Sequence, residues 1–85
     1  MYKINNLLNI KYERNDNMDV DIRKYIKGNF KDSNEEEIKS SIVESIRDKD
    51  EITLPGLGVF FEILWTSSND SERNNIIKVI KNNLN

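Results

Sequence analysis

Apolar residues recur every three or four positions along most of this chain, and in one place they run together. Ile22, Ile26 and Phe30, with Tyr25 beside them, repeat at helical spacing and predict a helix opening at Asp19 or Asp21. Either aspartate can accept bonds from the first free amides of that helix. Gly28 is expected to fray its end. Ile38, Ile42 and Ile46, with Val43, predict a second buried stripe, and Ser33 followed by Glu36 reads as the capping box that starts this helix. A last helix is expected after the polar break at 66–70, opened by Asn69 and Glu72 and buried along Ile76, Ile80 and Leu84 with Ile77. Lys78 and Lys81 suit its negative C-terminal end.

Between the second and last helices lies the segment Leu54-Pro55-Gly56-Leu57-Gly58-Val59-Phe60-Phe61-Glu62-Ile63-Leu64-Trp65, the most apolar of the chain. Its period is ambiguous. As a helix it places Pro55 at or before the first turn and gathers Leu57, Phe60, Phe61, Leu64 and Trp65 on one wide face. As a hairpin it has strands at 52–54 and 59–65 about a turn at 55–58, and its β-branched and aromatic residues favour extension. The helix is preferred, because a long run with few polar residues is hard to cover on both faces of an isolated hairpin in so small a protein. On this reading the segment supplies most of the core.

The first 17 residues carry Ile4, Leu7, Leu8, Ile10 and Tyr12 among five asparagines. Ile4, Leu7 and Leu8 fit a short amphipathic helix of weak propensity. A competing reading starts the protein at Met18, since Glu13-Arg14-Asn15 can be encoded by a purine-rich run resembling a bacterial ribosome-binding site. The domain reading is therefore an N-terminal extension over 1–17 and a single small domain over 18–85.

Composition narrows the chemistry. The 85 residues allow one modest core, and a chain of this size buries only roughly 60% of the surface its unfolded form exposes. With 33% charged and 36% hydrophobic residues and a net charge of −2, the chain stands on the polar side of globular composition, at a mean hydropathy of −0.70. Marginal stability or self-association is expected. There is no Cys and no His, which removes disulfides, thiolate chemistry, the usual proton shuttle at neutral pH and the commonest metal ligands. No apolar run approaches the roughly 18 residues of a membrane helix, and the first 17 residues lack the apolar centre of a signal peptide. An intracellular protein is expected, with no membrane and no small-molecule substrate.

Each remaining candidate site has a plainer reading. Glu35, Glu36 and Glu37 suggest a metal, but consecutive helical residues diverge, and the positive start of a helix explains them. The charged connection at 47–51 lacks the ligand spacing of a calcium loop. Gly56 and Gly58 at a helix start could cradle a phosphate, yet no third glycine or following Lys-Ser/Thr is present, so close packing is the preferred role. Arg23, Lys24 and Lys27 read as a solvated face, with phosphate binding as the alternative. Glu62, the only charge in the central run, is a candidate for a half-buried structural contact. No catalytic residue, cofactor site or metal site is assigned.

The segment from Leu54 to Trp65 closely resembles the hallmark of the small, acid-soluble spore protein I family, and the likeness extends over the order of elements from Met18 onward. Leu54, Pro55, Gly56, Leu57, Gly58, Val59, Phe60, Phe61, Glu62 and Trp65 carry it. Residues 1–17 have no counterpart in the family. The resemblance implies a minor, non-enzymatic protein of the dormant spore core, made in the forespore of a spore-forming Firmicute. It brings no molecular activity with it. The DNA-coating major spore proteins belong to a different sequence class.

A second, weaker likeness runs from Glu51 to Phe60, which resembles the helix-to-strand junction of histone-like HU proteins and would imply α+β structure with a hairpin at Ile52–Trp65. The basic arm of those proteins is missing: after Phe61 come Glu62, Ile63, Leu64 and Trp65, then only Arg73 before the last helix. The expectation is thus a mainly α domain of three to four short helices. Its partners would be a second copy through Leu57–Trp65 or, less favoured, DNA.

Overall fold

The computed structural model describes Leu7, Leu8 and residues 21–85 of the chain. Ile4, Ile10, Tyr12, Met18 and Asp19, on which the N-terminal readings rest, lie outside the described residues. Among the described residues there are four α-helices and no strand: α1 (Ile22–Phe30), α2 (Glu35–Asp48), α3 (Leu54–Ser67) and α4 (Asp70–Asn82).

Helix α1 starts at Asp21, whose extended backbone turns its carboxylate onto the Lys24 amide at 3.1 Å. Ile26 and Phe30 are buried along its inner face, and Ile22 packs beside them. The helix runs two residues past Gly28, so this glycine does not end it. The burial of Phe30 one turn on is worth more than the roughly 1 kcal/mol that a helical glycine costs.

Helix α2 begins one residue later than the Ser33–Glu36 pattern predicts. Asn34 is the cap: its side-chain oxygen accepts from the Glu37 amide at 2.8 Å, and the Glu37 carboxylate accepts from the Asn34 amide at 3.0 Å. The Ser33 amide is already spent on the Phe30 carbonyl at 3.0 Å, closing the turn that leaves α1. The buried stripe also differs from the expected one. Ile38 and Ile42 pack on the core and Ser45 is 2% exposed, while Ile46 is 61% exposed. Helix α2 ends on Lys49 in the left-handed conformation, with φ 52° and ψ 38°.

The hairpin alternative at Ile52–Trp65 is overturned by α3. The Asp50 carboxylate accepts from the Ile52 amide at 3.0 Å, and Thr53 Oγ1 donates to the Asp50 carbonyl at 2.8 Å. Together they start a 3-10 turn at Glu51–Thr53 that runs directly into α3. Pro55 falls in the first turn, where its missing N–H removes no bond. As a helix, the segment needs only one face covered, and α1 covers it.

The core is small: Leu8, Ile26, Phe30 and Val59 are buried, with Ile22, Ile38, Ile42, Leu57 and Phe60 packed against them. Among the described helices, α1 and α3 share the most extensive contact. The Phe30 and Phe60 rings meet edge to face across it, their centroids 4.9 Å apart. Helix α4 has the capping box expected of it, with Asn69 and Glu72 exchanging bonds of 2.8 Å each. Its apolar stripe is not buried. Ile76 is half-buried, but Ile77 and Ile80 are 50% and 40% exposed, and Leu84, 70% exposed, lies past the end of the helix at Asn82 instead of completing its stripe.

Candidate interaction surface

The hallmark segment divides into an inner line and an outer surface. Gly56 and Val59, one turn apart, are buried towards α1, and Leu57 and Phe60 flank them half-buried. Leu54, Pro55, Gly58 and Phe61 are exposed, and Trp65 is half-buried. Of the wide face predicted from Leu57 to Trp65, Phe61 and Leu64 therefore look outward, 41% and 50% exposed.

The two glycines differ in what surrounds them. A Cβ built on Gly56 would lie 2.8 Å from Leu8 Cδ2, 3.0 Å from the Leu8 carbonyl oxygen and 3.1 Å from Ile26 Cδ1. Gly56 is thus a point where Leu8 and Ile26 approach the α3 backbone closely. A Cβ on Gly58 would meet no heavy atom within 4 Å. Neither glycine has positive φ.

Glu62, halfway along α3, forms a two-point ion pair with Arg23 of α1. Nε lies 2.6 Å from one carboxylate oxygen and Nη2 2.9 Å from the other. The hydrogen bond from Arg23 holds the Glu62 carboxyl below the usual glutamate range; partial burial opposes it, and the charges of Arg23 and Lys27 add to it. The same bond and charge push the Arg23 guanidinium higher still. One of the three cations proposed for phosphate is therefore committed to α3, and Lys24 and Lys27 remain on the exposed face. The partnership spans 39 residues of sequence; Glu62 stands out as the only charge in its run, but nothing local points to Arg23 as its partner.

Trp65 closes the segment. Its carbonyl accepts from Arg73 Nε at 2.8 Å, and the Arg73 guanidinium carbon stands 5.4 Å from the centre of the indole ring. Arg73 thus satisfies the C-terminal end of α3 while joining it to α4. Phe61 lies tilted against the same indole, centroids 6.0 Å apart.

Beyond this line the surface is apolar or shallow. A groove of about 400 Å³ between the end of α2 and the start of α3 is walled by Ile46, Leu54 and Leu57. The hollow of about 540 Å³ beside Leu7 and the start of α2 is open, lined by Ser33, Asn34, Glu36, Glu37, Ser40 and Ser41. Among the described residues no three Asp or Glu side chains are grouped to hold a metal, and Glu35, Glu36 and Glu37 stay solvent-exposed on the first turn of α2.

Comparison with known proteins gives these features a family. The protein named small, acid-soluble spore protein I of Bacillus velezensis is 37% identical over 67 residues, which cover 79% of this chain and 94% of its own length. Its Bacillus subtilis counterpart is 36% identical over the same shares, and that of Halalkalibacterium halodurans is 36% identical over 79% of this chain and 98% of its own. No solved structure matches. The sequence profile described as small, acid-soluble spore protein I matches residues 20–84, which span all four helices, so the chain belongs to that family of spore proteins.

Proposed function

We propose that this protein is a non-enzymatic structural component of the spore core, made in the forespore, and that it associates with a second copy through the outer surface of Leu57–Trp65 and along α4. The observation that carries self-association is the exposure of Phe61 and Leu64 on α3, of Ile77 and Ile80 on the next helix, and of Leu84 just beyond its end. A small protein seldom leaves so many large apolar side chains in water unless something covers them. The non-enzymatic reading rests on the residue inventory. Without Cys or His, acid–base chemistry would fall to carboxylates and amines, and Glu62, the only acid on α3, is held by Arg23. No described helix is long and apolar enough to cross a membrane, and no small-molecule substrate belongs to this reading.

Sedimentation at micromolar concentration tests it. Wild-type protein is expected to run as a dimer or larger, and Leu64→Glu and Ile80→Glu to shift it to monomer with helix content unchanged. A strict monomer would remove self-association. Duplex DNA is the less favoured partner, through Arg23, Lys24 and Lys27. Binding to it that weakens steeply with salt would favour that reading instead.

A further inference from the structure

Leu8 lies upstream of the region that matches the family, yet its side chain is 0% exposed, as deeply buried as Ile26. It sits over Gly56, where the missing side chain leaves a notch in α3 that a single methyl group would close. One residue earlier, the Leu7 carbonyl accepts from Asn29 Nδ2 on α1 at 3.1 Å, and the Leu7 side chain turns outward, 39% exposed. The segment is therefore held in two ways, by an apolar socket for one side chain and by a hydrogen bond to main chain.

The socket walls do not depend on what fills them. Helices α1 and α3 are joined independently by the Phe30–Phe60 ring contact and by the Arg23–Glu62 ion pair. The buried cluster around Leu8 consists of Ile26, Phe30 and Val59 and contains no charge, so it takes an apolar side chain and rejects an ionised one.

We infer that Gly56, Ile26 and Asn29 form a socket whose occupant is the Leu7–Leu8 segment of the same chain, an intrachain plug that makes residues upstream of the family match part of the core. This socket is separate from the outer surface assigned to self-association, and either assignment can fail without the other.

The test uses the full chain and a synthetic peptide spanning residues 4–12 as probe, followed by amide chemical shifts. Wild-type protein is expected not to bind the peptide. Leu8→Ala should bind it saturably and roughly tenfold or more tighter, with shifts at Ile26, Asn29 and Gly56. The same peptide carrying Leu8→Asp should not bind, and Gly56→Ala should abolish binding. Leu8→Ala alone should lower the thermal midpoint by roughly 10 °C or more, as a vacated core position does in a domain of this size. An unchanged midpoint, or a peptide that Leu8→Ala ignores, overturns the socket. A wild-type midpoint that rises with concentration, together with a dimer mass that Leu8→Ala abolishes, overturns the intrachain plug in favour of exchange between copies. Should Leu8→Ala fail to fold, Leu8→Val takes its place: it vacates part of the socket and should lower the thermal midpoint by a smaller amount, and an unchanged midpoint overturns the proposal.

Discussion

The Arg23 guanidinium grips both carboxylate oxygens of Glu62, at 2.6 and 2.9 Å, and ties α1 to α3 at the edge of a core that holds only four buried apolar side chains among the described residues. Because the pair stands in partly exposed surroundings, its worth depends on pH and salt more than on burial.

The hydrogen bond from Arg23 lowers the Glu62 pKa in the folded state, so the folded protein holds its charge down to lower pH than the unfolded chain does. The stabilisation is thus fully present above the ordinary glutamate value of about 4.3 and is lost as pH falls through the depressed folded value. Glu62→Gln removes it. Thermal midpoints of wild type and Glu62→Gln are expected to differ near neutral pH, with wild type higher, and to converge as the solution is acidified below pH 4. Added salt should narrow the gap at neutral pH.

Gly56 and Gly58 stand two residues apart and should respond to alanine with opposite sign. Helical glycine costs roughly 0.5–1 kcal/mol relative to alanine, so Gly58→Ala, which meets no atom, is expected to stabilise by about that amount. Gly56→Ala forces a methyl group to within 3.0 Å of the Leu8 carbonyl, which a side-chain rotation cannot relieve. A loss of roughly 1–3 kcal/mol is expected, the usual range for an overpacked core. Urea midpoints of the two variants at equal m-value decide the matter.

Lys49 ends α2 with φ 52°, a conformation that costs a side-chain-bearing residue roughly 1 kcal/mol, and its amide bonds to the Ile46 carbonyl at 3.3 Å. Glycine keeps the bond and removes the strain. Lys49→Gly is therefore expected to raise stability by a few tenths to about 1 kcal/mol, less the added freedom glycine gives the unfolded chain. An increase in the urea midpoint checks it, and Lys49→Val should give a decrease.

Much of this fold was legible because local rules decide it. Apolar spacing placed α1, α2 and α4, and the Asn69–Glu72 box placed the start of α4 to the residue. The preference for a helix at 54–65 followed from the scarcity of polar residues to cover a second face. What local rules do not contain is which face a neighbour covers. Ile46 has the same spacing as Ile38 and Ile42, yet it is 61% exposed, and the polar Ser45 takes the buried position. The stripe of α4 is as regular as that of α1, but only Ile76 of it is even half-buried. The candidate site was less legible still. Arg23 and Glu62 are 39 residues apart, and Leu8 is separated from Gly56 by the whole of α1 and α2, so each pairing exists only once the helices have packed.

The start of α2 offers a direct comparison between pattern and structure. Ser33–Glu36 and Asn34–Glu37 both satisfy the spacing of a capping box, and only the second is formed. Asparagine is at least as good a cap as serine, and the Ser33 amide closes the turn out of α1, which fixes it outside the helix. Asn34→Ala should then remove the bond to the Glu37 amide and cost about 1 kcal/mol, with Glu37→Ala losing a smaller amount through the reciprocal bond. Ser33→Ala, which leaves every bond of the box and the backbone bond to Phe30 in place, should change the urea midpoint by no more than a few tenths of a kcal/mol. If Ser33→Ala proved the costlier of the two, the helix would start one residue earlier in solution, and the first turn would expose Glu35, Glu36 and Glu37 in a different order around its axis.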